Sequence, residues 1–293
     1  MGSTTVAVLG TGNMGGAMVG TLRRSGFDVV AWNRTPERAR AVAEAAGARA
    51  AESAAGAVEG ADVVLSSLAD DAAVLDTYTG EGAAASAMRR GQVVLEMSTI
   101  APATVGAIAP AIEERGASLL DAPVSGSVPA VRSGELTIMV GGDAEALERA
   151  RPVLEALAKK ILHVGGLGAG ATMKLAVNAL VHAIAVGLSE ALVLAEKAGV
   201  ERSAAYDVFA SGAAAAPFVL YKRQAFEHPE EAGVAFTLDL MAKDLDLILE
   251  LAEQVGAPMD QAARNRETVR AALASGLSGR DMSAVAVYLR GGH

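Results

Sequence analysis

Short apolar runs alternate with amphipathic stretches through the first half of the chain. The β-branched run Thr5 to Gly10 leads at once into a glycine-rich turn and a helical stretch that ends at about Ser25. The same alternation predicts further strands at Asp28 to Trp32, Asp62 to Ser67, Gln92 to Met97, Ser118 to Asp121, Leu136 to Val140 and near Ile161. It predicts helices at Pro36 to Ala46, near Asp71, at Pro102 to Arg115 and at about Ala144 to Leu157. This pattern is typical of an α/β fold with a doubly wound, mostly parallel sheet.

Beyond Gly170 the pattern contains helices only. They are predicted at Ala171 to Ala198, Ser203 to Ser211, Ala216 to His228, Leu238 to Val255, Met259 to Ser275 and Met282 to Leu289. The stretch from Gly165 to Gly170, with four glycines in six residues, separates the two patterns. We therefore predict two domains, 1–164 and 165–293, joined by a long interdomain helix, with an all-α second domain for substrate binding and dimerisation.

The composition fits this division and excludes several functions. Hydrophobic residues make up 52% of the 293 residues and aromatic residues only 3%, so the cores are built from small and aliphatic side chains. A formal charge of -9 argues against nucleic acid or an anionic membrane as the main partner. The chain has no cysteine, which excludes disulfides and thiol catalysis.

Neither a leader nor a membrane span is expected. The start of the chain lacks a basic region followed by an apolar run and a cleavage site. The most apolar stretch, Leu175 to Leu188, is interrupted by Asn178 and His182. We expect a cytoplasmic protein.

The first glycine turn reads Gly10-Thr-Gly12-Asn-Met-Gly15. Between a strand and a helix, this spacing predicts a Rossmann-type dinucleotide site: Gly10 permits the tight turn, Gly12 admits a pyrophosphate, and Gly15 allows close packing of helix and strand. Asn13 and Met14 belong to the same predicted cofactor-binding turn. In the alternative interpretation the glycines serve only strand–helix packing.

The end of the second predicted strand selects the cofactor. An NAD site usually has a carboxylate there to bind the ribose hydroxyls, whereas this chain has Asn33-Arg34-Thr35. Arg34 can bind a 2′-phosphate and Thr35 can donate a hydroxyl, so NADP (NADPH) is the predicted cofactor. The alternative is that Arg34 is a solvated residue before a helix.

The long helix carries Lys174, Asn178 and His182 at intervals of four residues, which places them along one face. A lysine in the first turns of an apolar helix is unusual, because an ammonium removed from water is destabilised unless it has partners. From spacing alone, Lys174 is equally well explained as a side chain that reaches solvent beside the glycine-rich stretch from Gly165 to Gly170.

Four motifs in this order resemble the β-hydroxyacid dehydrogenase family, which includes 3-hydroxyisobutyrate dehydrogenase, tartronate semialdehyde reductase and the glyoxylate/succinic semialdehyde reductases. They are the glycine turn, Asp121-Ala-Pro-Val-Ser-Gly126, Gly165 to Asn178, and Lys243-Asp244-Leu-Asp. The resemblance covers nearly the whole chain, and Asn33-Arg34-Thr35 resembles the NADP-preferring members.

The resemblance implies a role for each motif. Lys174 is then the general acid/base and Asn178 holds the substrate beside it. Ser125 and Gly126 bind the substrate carboxylate, although the family commonly has a second glycine where this chain has Ser127. Thr99 lies near nicotinamide and substrate.

Three residues from the last third complete the implied pocket. Lys243 reaches the nicotinamide end, Asp244 pairs with a cation, and Phe236 shapes the pocket. Because Lys243 and Asp244 lie on a predicted helix, they can equally belong to its solvent-exposed face. Catalysis by His182 or His163 is not favoured, and no clustered spacing suggests a metal site.

The predicted function is an NADPH-dependent reductase of a small, carboxylate-bearing semialdehyde, which runs reversibly as a hydroxyacid dehydrogenase. Imine reductases share the architecture but typically lack the lysine and the Asp-Ala-Pro-Val-Ser-Gly run, and a non-catalytic NADP-binding redox sensor is the other alternative. The long apolar helix leads us to expect a homodimer or homotetramer with the active site in the cleft between the halves. The sequence does not select among glyoxylate and the succinic, methylmalonate and tartronate semialdehydes.

Overall fold

A computed structural model describes residues 4–291, and it divides the chain into two compact units. One unit ends at Lys174 and the other begins at Leu175, within a helix, whereas the sequence predicts a domain boundary before that helix, at 164/165. The strands of the first unit are β1 (Thr5–Leu9), β2 (Asp28–Trp32), β3 (Arg49–Ala50), β4 (Val63–Ser66), β5 (Val93–Glu96), β6 (Ser118–Asp121), β7 (Val124–Ser125), β8 (Leu136–Gly142) and β9 (Ala158–Gly165).

These strands form one mixed sheet in the order β3-β2-β1-β4-β5-β6-β8-β7, with β9 beside β8. The pairs from β3 to β6 are parallel, as is β8 with β9, while β8 runs antiparallel to β6 and β7. The prediction of a doubly wound, mostly parallel sheet is therefore confirmed.

Helices cover both faces of the sheet. They are α1 (Asn13–Arg24), α2 (Pro36–Ala46), α3 (Ala54–Val58), α4 (Asp71–Thr79), α5 (Pro102–Glu113), α6 (Val128–Ser133) and α7 (Ala144–Glu155), with a 3-10 turn at Ala84–Ala87. Alternate strand residues face opposite sides, so Val6 and Val8 of β1 join one buried cluster and Ala7 and Leu9 join the other. The sheet is thus the central layer of a three-layer unit.

A long helix, α8 (Ala169–Lys197), leads into the second unit. It is followed by α9 (Arg202–Ser211), α10 (Pro217–Tyr221), α11 (Arg223–Glu227), α12 (Leu238–Val255), α13 (Asp260–Ala272) and α14 (Ala284–Arg290). The described part of this unit is helical apart from turns and a single bridge between Thr237 and Asp281, and it has its own apolar core. The predicted all-α second half is confirmed.

The prediction of one continuous helix from Ala216 to His228 is wrong. The chain breaks it at Lys222 into α10 and α11. The ammonium of Lys222 is buried against Asp281, with Nζ–Oδ distances of 2.9 and 2.7 Å. A buried ion pair between residues distant in sequence has no local signal.

By length and composition α8 qualifies as a candidate membrane span, contrary to the expectation from sequence. Its most apolar window has a mean hydropathy of 1.8, and 44% of that window is buried within the protein. A helix in the core of a helical unit meets the same criteria of length and hydropathy. Asn178 and His182 of α8 are buried beside Asp244 of α12. A buried polar cluster of this kind is typical of such a core helix.

Candidate active site

The glycine turn between β1 and α1 is built to hold an anion. Gly10 has φ +95°, and a Cβ on Gly15 would lie 2.0 Å from the Gly10 carbonyl oxygen, so both positions require glycine. Gly12 faces open space and precedes α1 without a side-chain cap. The hydroxyl of Thr11 is buried and has no hydrogen-bond partner among the described residues. The free amides and the hydroxyl therefore fit the pyrophosphate of a dinucleotide.

Asn33 ties the glycine turn to the end of β2. Its Oδ1 accepts a hydrogen bond from the Thr11 amide at 3.1 Å, and its Nδ2 donates to the Thr35 carbonyl oxygen at 3.2 Å. Arg34 and Thr35 are exposed, and the Thr35 side chain does not cap α2. The edge where a ribose is expected thus presents a guanidinium and a hydroxyl, with no carboxylate in Asn33-Arg34-Thr35.

A polar row that sequence reasoning missed crosses the carboxyl ends of three neighbouring strands. Ser66 of β4 is in register with Glu96 of β5, and Glu96 is in register with Asp121 of β6. All three are buried. A carboxylate that ends the apolar run Val-Val-Leu-Glu96 was the available signal, since ligands of open α/β sheets bind at this edge.

The carboxyl group of Glu96 has an unusual environment. Burial raises the pKa of Glu96 to about 7, with a smaller contribution from the charge of Asp121 and against hydrogen bonds from Ser66 and Ser98. The segment that follows contains Thr99, which is half-buried. Thr99 therefore lies at the edge of the sheet where a ligand is expected.

Asp121 fixes the start of α8. Its two carboxylate oxygens accept hydrogen bonds from the amides of Gly168 at 2.8 Å and Ala171 at 2.7 Å. A Cβ on Gly170 would lie 2.5 Å from the Asp121 carbonyl oxygen, so only glycine permits this approach. Burial raises the pKa of Asp121, although these amides oppose the shift. Lys174 lies one turn further along α8 and is half-buried.

Ser125 and Gly126 lie at the end of β7 and in the turn before α6. Gly126 has φ +140°, and a Cβ there would lie 2.7 Å from Leu136 Cδ2, so the turn requires glycine. Ser127 precedes α6, and its hydroxyl makes no capping hydrogen bond. The turn therefore presents serine hydroxyls and backbone amides, the donors that an anion nest uses.

In the second unit, α8 and α12 share a buried polar cluster. Asn178 Nδ2 donates to Asp244 Oδ2 at 2.6 Å, and Lys243 Nζ lies 3.2 Å from Asp244 Oδ1. His182 Nε2 lies 3.6 Å from the same Asp244 Oδ2, and its ring centroid is 5.9 Å from that of Phe236. Asp244 is only 1% exposed, so the solvated-face alternative does not hold for this residue. The structure thus brings Asn178, Lys243 and Asp244 together.

His163 lies on β9, next to β8. His163 Nε2 lies 2.8 Å from the carbonyl oxygen of Gly142 on the neighbouring strand, which gives it a structural partner. Residues 4–291 contain no group of three or more His, Asp or Glu side chains arranged to hold a metal ion.

Two family models match the chain, one for each half. Residues 5–165 match the NAD binding domain of 6-phosphogluconate dehydrogenase, and residues 168–289 match the NAD-binding model of NADP-dependent 3-hydroxyisobutyrate dehydrogenase. Both descriptions name a nicotinamide cofactor, which agrees with the anion-binding turn of the first unit.

Individual relatives match over nearly all of this chain. A 3-hydroxyisobutyrate dehydrogenase of Pseudomonas aeruginosa is 37% identical over 98% of this chain and 99% of its own. The chloroplastic glyoxylate/succinic semialdehyde reductase 2 of Arabidopsis thaliana is 31% identical over 99% of this chain and 80% of its own.

A solved structure agrees with these relatives. It is that of Mycobacterium tuberculosis 3-hydroxyisobutyrate dehydrogenase with L-serine, with a TM-score of 0.85 and 32% identity over 99% of this chain and 100% of that chain. From this identity and coverage, the chain belongs to the β-hydroxyacid dehydrogenase family of NAD(P)-dependent oxidoreductases that act on the CH–OH group of hydroxyacids.

Proposed function

We propose that the protein is an NADPH-dependent reductase of small semialdehydes, which runs in reverse as a β-hydroxyacid dehydrogenase, with Lys174 as the general acid/base. The observation that carries this proposal is the end of β2, where Asn33 is tied to the glycine turn and Arg34 is exposed beside it. A guanidinium in place of a carboxylate attracts the 2′-phosphate instead of repelling it.

Lys174 supplies the proton in this mechanism. The nicotinamide, when bound, supplies the hydride to the carbonyl carbon, and the carbonyl oxygen must gain a proton to become an alcohol. A half-buried ammonium can donate that proton, and it also stabilises the negative charge that develops on the oxygen. The anchoring of α8 by Asp121 supports this role, because a general acid must be held in place.

The substrate carboxylate is assigned to Ser125 and Gly126. Their turn offers hydroxyl and amide donors. No ion pair among the described residues involves this turn. A carboxylate fixed at this turn orients the adjacent carbonyl carbon for hydride transfer. Thr99 is assigned to the nicotinamide and the substrate.

The cluster on α8 and α12 is assigned to substrate binding. The amide of Asn178 cannot titrate, and its Nδ2 is already held by Asp244, which leaves its Oδ1 for the substrate. Lys243 is assigned to the nicotinamide end and Phe236 to the apolar wall of the pocket. Asp244 acts by holding Asn178 and Lys243.

A substrate screen tests the proposal. Oxidation of NADPH is followed with glyoxylate and with succinic, methylmalonate and tartronate semialdehydes, and each assay is repeated with NADH. Turnover of at least one aldehyde, faster with NADPH, is expected. Binding of NADPH without turnover of any aldehyde would contradict the proposal and favour a redox sensor.

Replacement of Arg34 by alanine is expected to lower the preference for NADPH over NADH. A charge-assisted hydrogen bond contributes about 1.5–3 kcal/mol, so the ratio of kcat/KM values should fall roughly 10- to 100-fold. The matched control is Arg90→Ala, an exposed arginine at the amino end of β5, on the opposite edge of the sheet. An unchanged ratio in Arg34→Ala would show that the phosphate is bound elsewhere.

We further propose a homodimer or homotetramer in the cytoplasm. Leu180 and Leu194 of α8, together with Val208 of α9 and Tyr221 of α10, are large apolar side chains left exposed on the second unit. Exposed apolar surface of this kind marks an interface. Light scattering at micromolar concentration should give an even multiple of the chain mass, and a monomer would contradict the proposal. The double variant Leu180→Glu/Leu194→Glu should shift the wild-type assembly towards the monomer.

A further inference from the structure

His182 is a buried side chain of α8 that the proposed mechanism does not use. It is 2% exposed, and neither of its ring nitrogens has a hydrogen-bond partner among the described residues. The same helix contributes Leu175, Ala185 and Val186 to the apolar core of the second unit. A polar ring buried in such a helix costs free energy that an aliphatic side chain would not, unless the ring has a polar partner.

The carboxylate of Asp244 on α12 lies within reach of this ring. His182 Nε2 is 3.6 Å from Asp244 Oδ2, a separation longer than a hydrogen bond but within the range of an ion pair. A movement of the ring by about 0.6 Å brings Nε2–H within hydrogen-bond distance of that oxygen. Nε2 is therefore the ring nitrogen that can serve the carboxylate.

The oxygen that faces His182 also holds Asn178. Asp244 Oδ2 accepts from Asn178 Nδ2 at 2.6 Å, and Asp244 Oδ1 lies 3.2 Å from Lys243 Nζ. A carboxylate oxygen has two lone pairs, so Oδ2 can accept from Asn178 and His182 together. Because a carboxylate only accepts, the Asn178 amide must face it with its NH₂ group. The orientation of the Asp244 carboxylate therefore sets the orientation of the Asn178 amide.

Phe236 packs against the imidazole and limits its movement. The two ring centroids are 5.9 Å apart, with an interplanar angle of 36°. The backbone of Phe236 is itself held, because its amide donates to Asp281 at 3.2 Å and its carbonyl oxygen accepts the Met282 amide at 2.8 Å. His182 thus lies against a fixed segment and beside the carboxylate of Asp244.

We propose that His182 is a positioning residue: its Nε2–H group orients the carboxylate of Asp244, which in turn holds the Asn178 amide for the substrate. This inference rests on the proposed function, in which Asn178 binds the substrate. His182 acts through two other side chains and donates no proton in the reaction. Its loss should therefore weaken substrate binding, which is measured by KM, more than it slows the chemical step, which is measured by kcat.

The test compares three replacements of His182 in steady-state kinetics at saturating NADPH, with an aldehyde that the wild type reduces. His182→Leu fills the space without a donor. In His182→Gln the amide nitrogen reaches the place of Nε2, whereas in His182→Asn it reaches only that of Nδ1. His228→Gln, at an exposed histidine of the same unit, is the matched control.

His182→Leu and His182→Asn should raise KM for the aldehyde roughly tenfold and leave kcat within about twofold, whereas His182→Gln and the control should resemble wild type. A lower kcat at unchanged KM is the result of a purely structural role, in which less protein is active, and would overturn the inference. Recovery by His182→Asn as full as by His182→Gln would also overturn it. Absence of turnover by wild type would overturn the proposed function and this inference with it, whereas a failure confined to the variants overturns this inference alone.

A second measurement keeps the inference testable if the His182 variants fold poorly. The chain has four histidines, so replacement of the other three by glutamine leaves the His182 ring as the one imidazole to observe by ¹⁵N NMR. The spectrum shows which ring nitrogen carries a proton. A proton on Nε2 is expected, because only that nitrogen faces Asp244. An Nε2 without a proton would overturn the inference.

Discussion

Replacement of Lys174 by alanine is expected to lower kcat for semialdehyde reduction by about 10²- to 10⁴-fold, the usual contribution of a general acid. Alanine is a good helix former, so α8 and the hydrogen bonds of Asp121 at its start should persist. The glycine turn and Arg34 lie on other elements, and the Kd of NADPH should therefore stay within about twofold. Steady-state kinetics and a fluorescence titration measure the two quantities.

Lys197→Ala is the control for this experiment. Lys197 is an exposed residue in the last turn of the same helix, and its loss should leave kcat unchanged. Turnover of Lys174→Ala near the wild-type rate would show that another group donates the proton. Loss of NADPH binding together with turnover would show instead that the lysine holds the cofactor.

Local signals explain why the bounds of several elements could be predicted. α2 and α12 begin and end at the predicted residues, because Pro36 opens one helix and the Thr237 side chain caps the other. Both end at a glycine in the left-handed conformation, Gly47 and Gly256. Such signals lie within a few residues of the helix end that they determine.

Among the elements that escaped prediction, β3, α3 and β7 lack a strong local signal, whereas α6 has a proline in its first turn and a left-handed glycine at its end. The short strand β3 and the short helix α3 lie in an alanine-rich stretch, where neither period is evident. α3 is capped by Ser53, whose hydroxyl accepts the Gly56 amide at 3.0 Å, but a lone serine among alanines does not indicate a helix of five residues. β7 is two residues long and depends on its pairing with β8.

The candidate site divides in the same way. The glycine turn and the residues after β2 are local motifs, and their geometry fits a dinucleotide. The row of Ser66, Glu96 and Asp121 depends on strand register, which joins residues about thirty positions apart. The contact of His182 with Asp244 depends on the packing of α8 against α12 and was likewise missed. Tertiary register and packing therefore set the part of the site that the sequence pattern does not reveal.

Replacement of Asp281 by asparagine is expected to lower the free energy of unfolding by about 3–5 kcal/mol, the usual result of breaking a buried ion pair. Lys222 and Asp281 are 5% and 6% exposed, so the change leaves an ammonium without its counter-charge or its hydration. Asp281 also accepts the amides of Ala235 and Phe236, at 3.0 and 3.2 Å, and thereby orients the segment before α12. Urea unfolding of wild type and variant measures the difference.

The pH dependence and a double variant separate the charge from the shape of this side chain. Burial alone would raise the pKa of Asp281, but the hydrogen bonds and charge of Lys222 and the backbone amides lower it overall. A lowered pKa means that the contribution of Asp281 is present at neutral pH and is lost as the pH falls below its ordinary value of 3.8. The difference in the free energy of unfolding between wild type and Asp281→Asn should therefore become smaller in acid.

The double variant Lys222→Met/Asp281→Asn should recover part of the lost free energy of unfolding at neutral pH, because no uncompensated charge remains. Glu267→Gln, at an exposed ion pair, should change the free energy of unfolding little. Equal losses in the single and double variants would show that shape and not charge compensation holds α10, α11 and the Phe236 segment together.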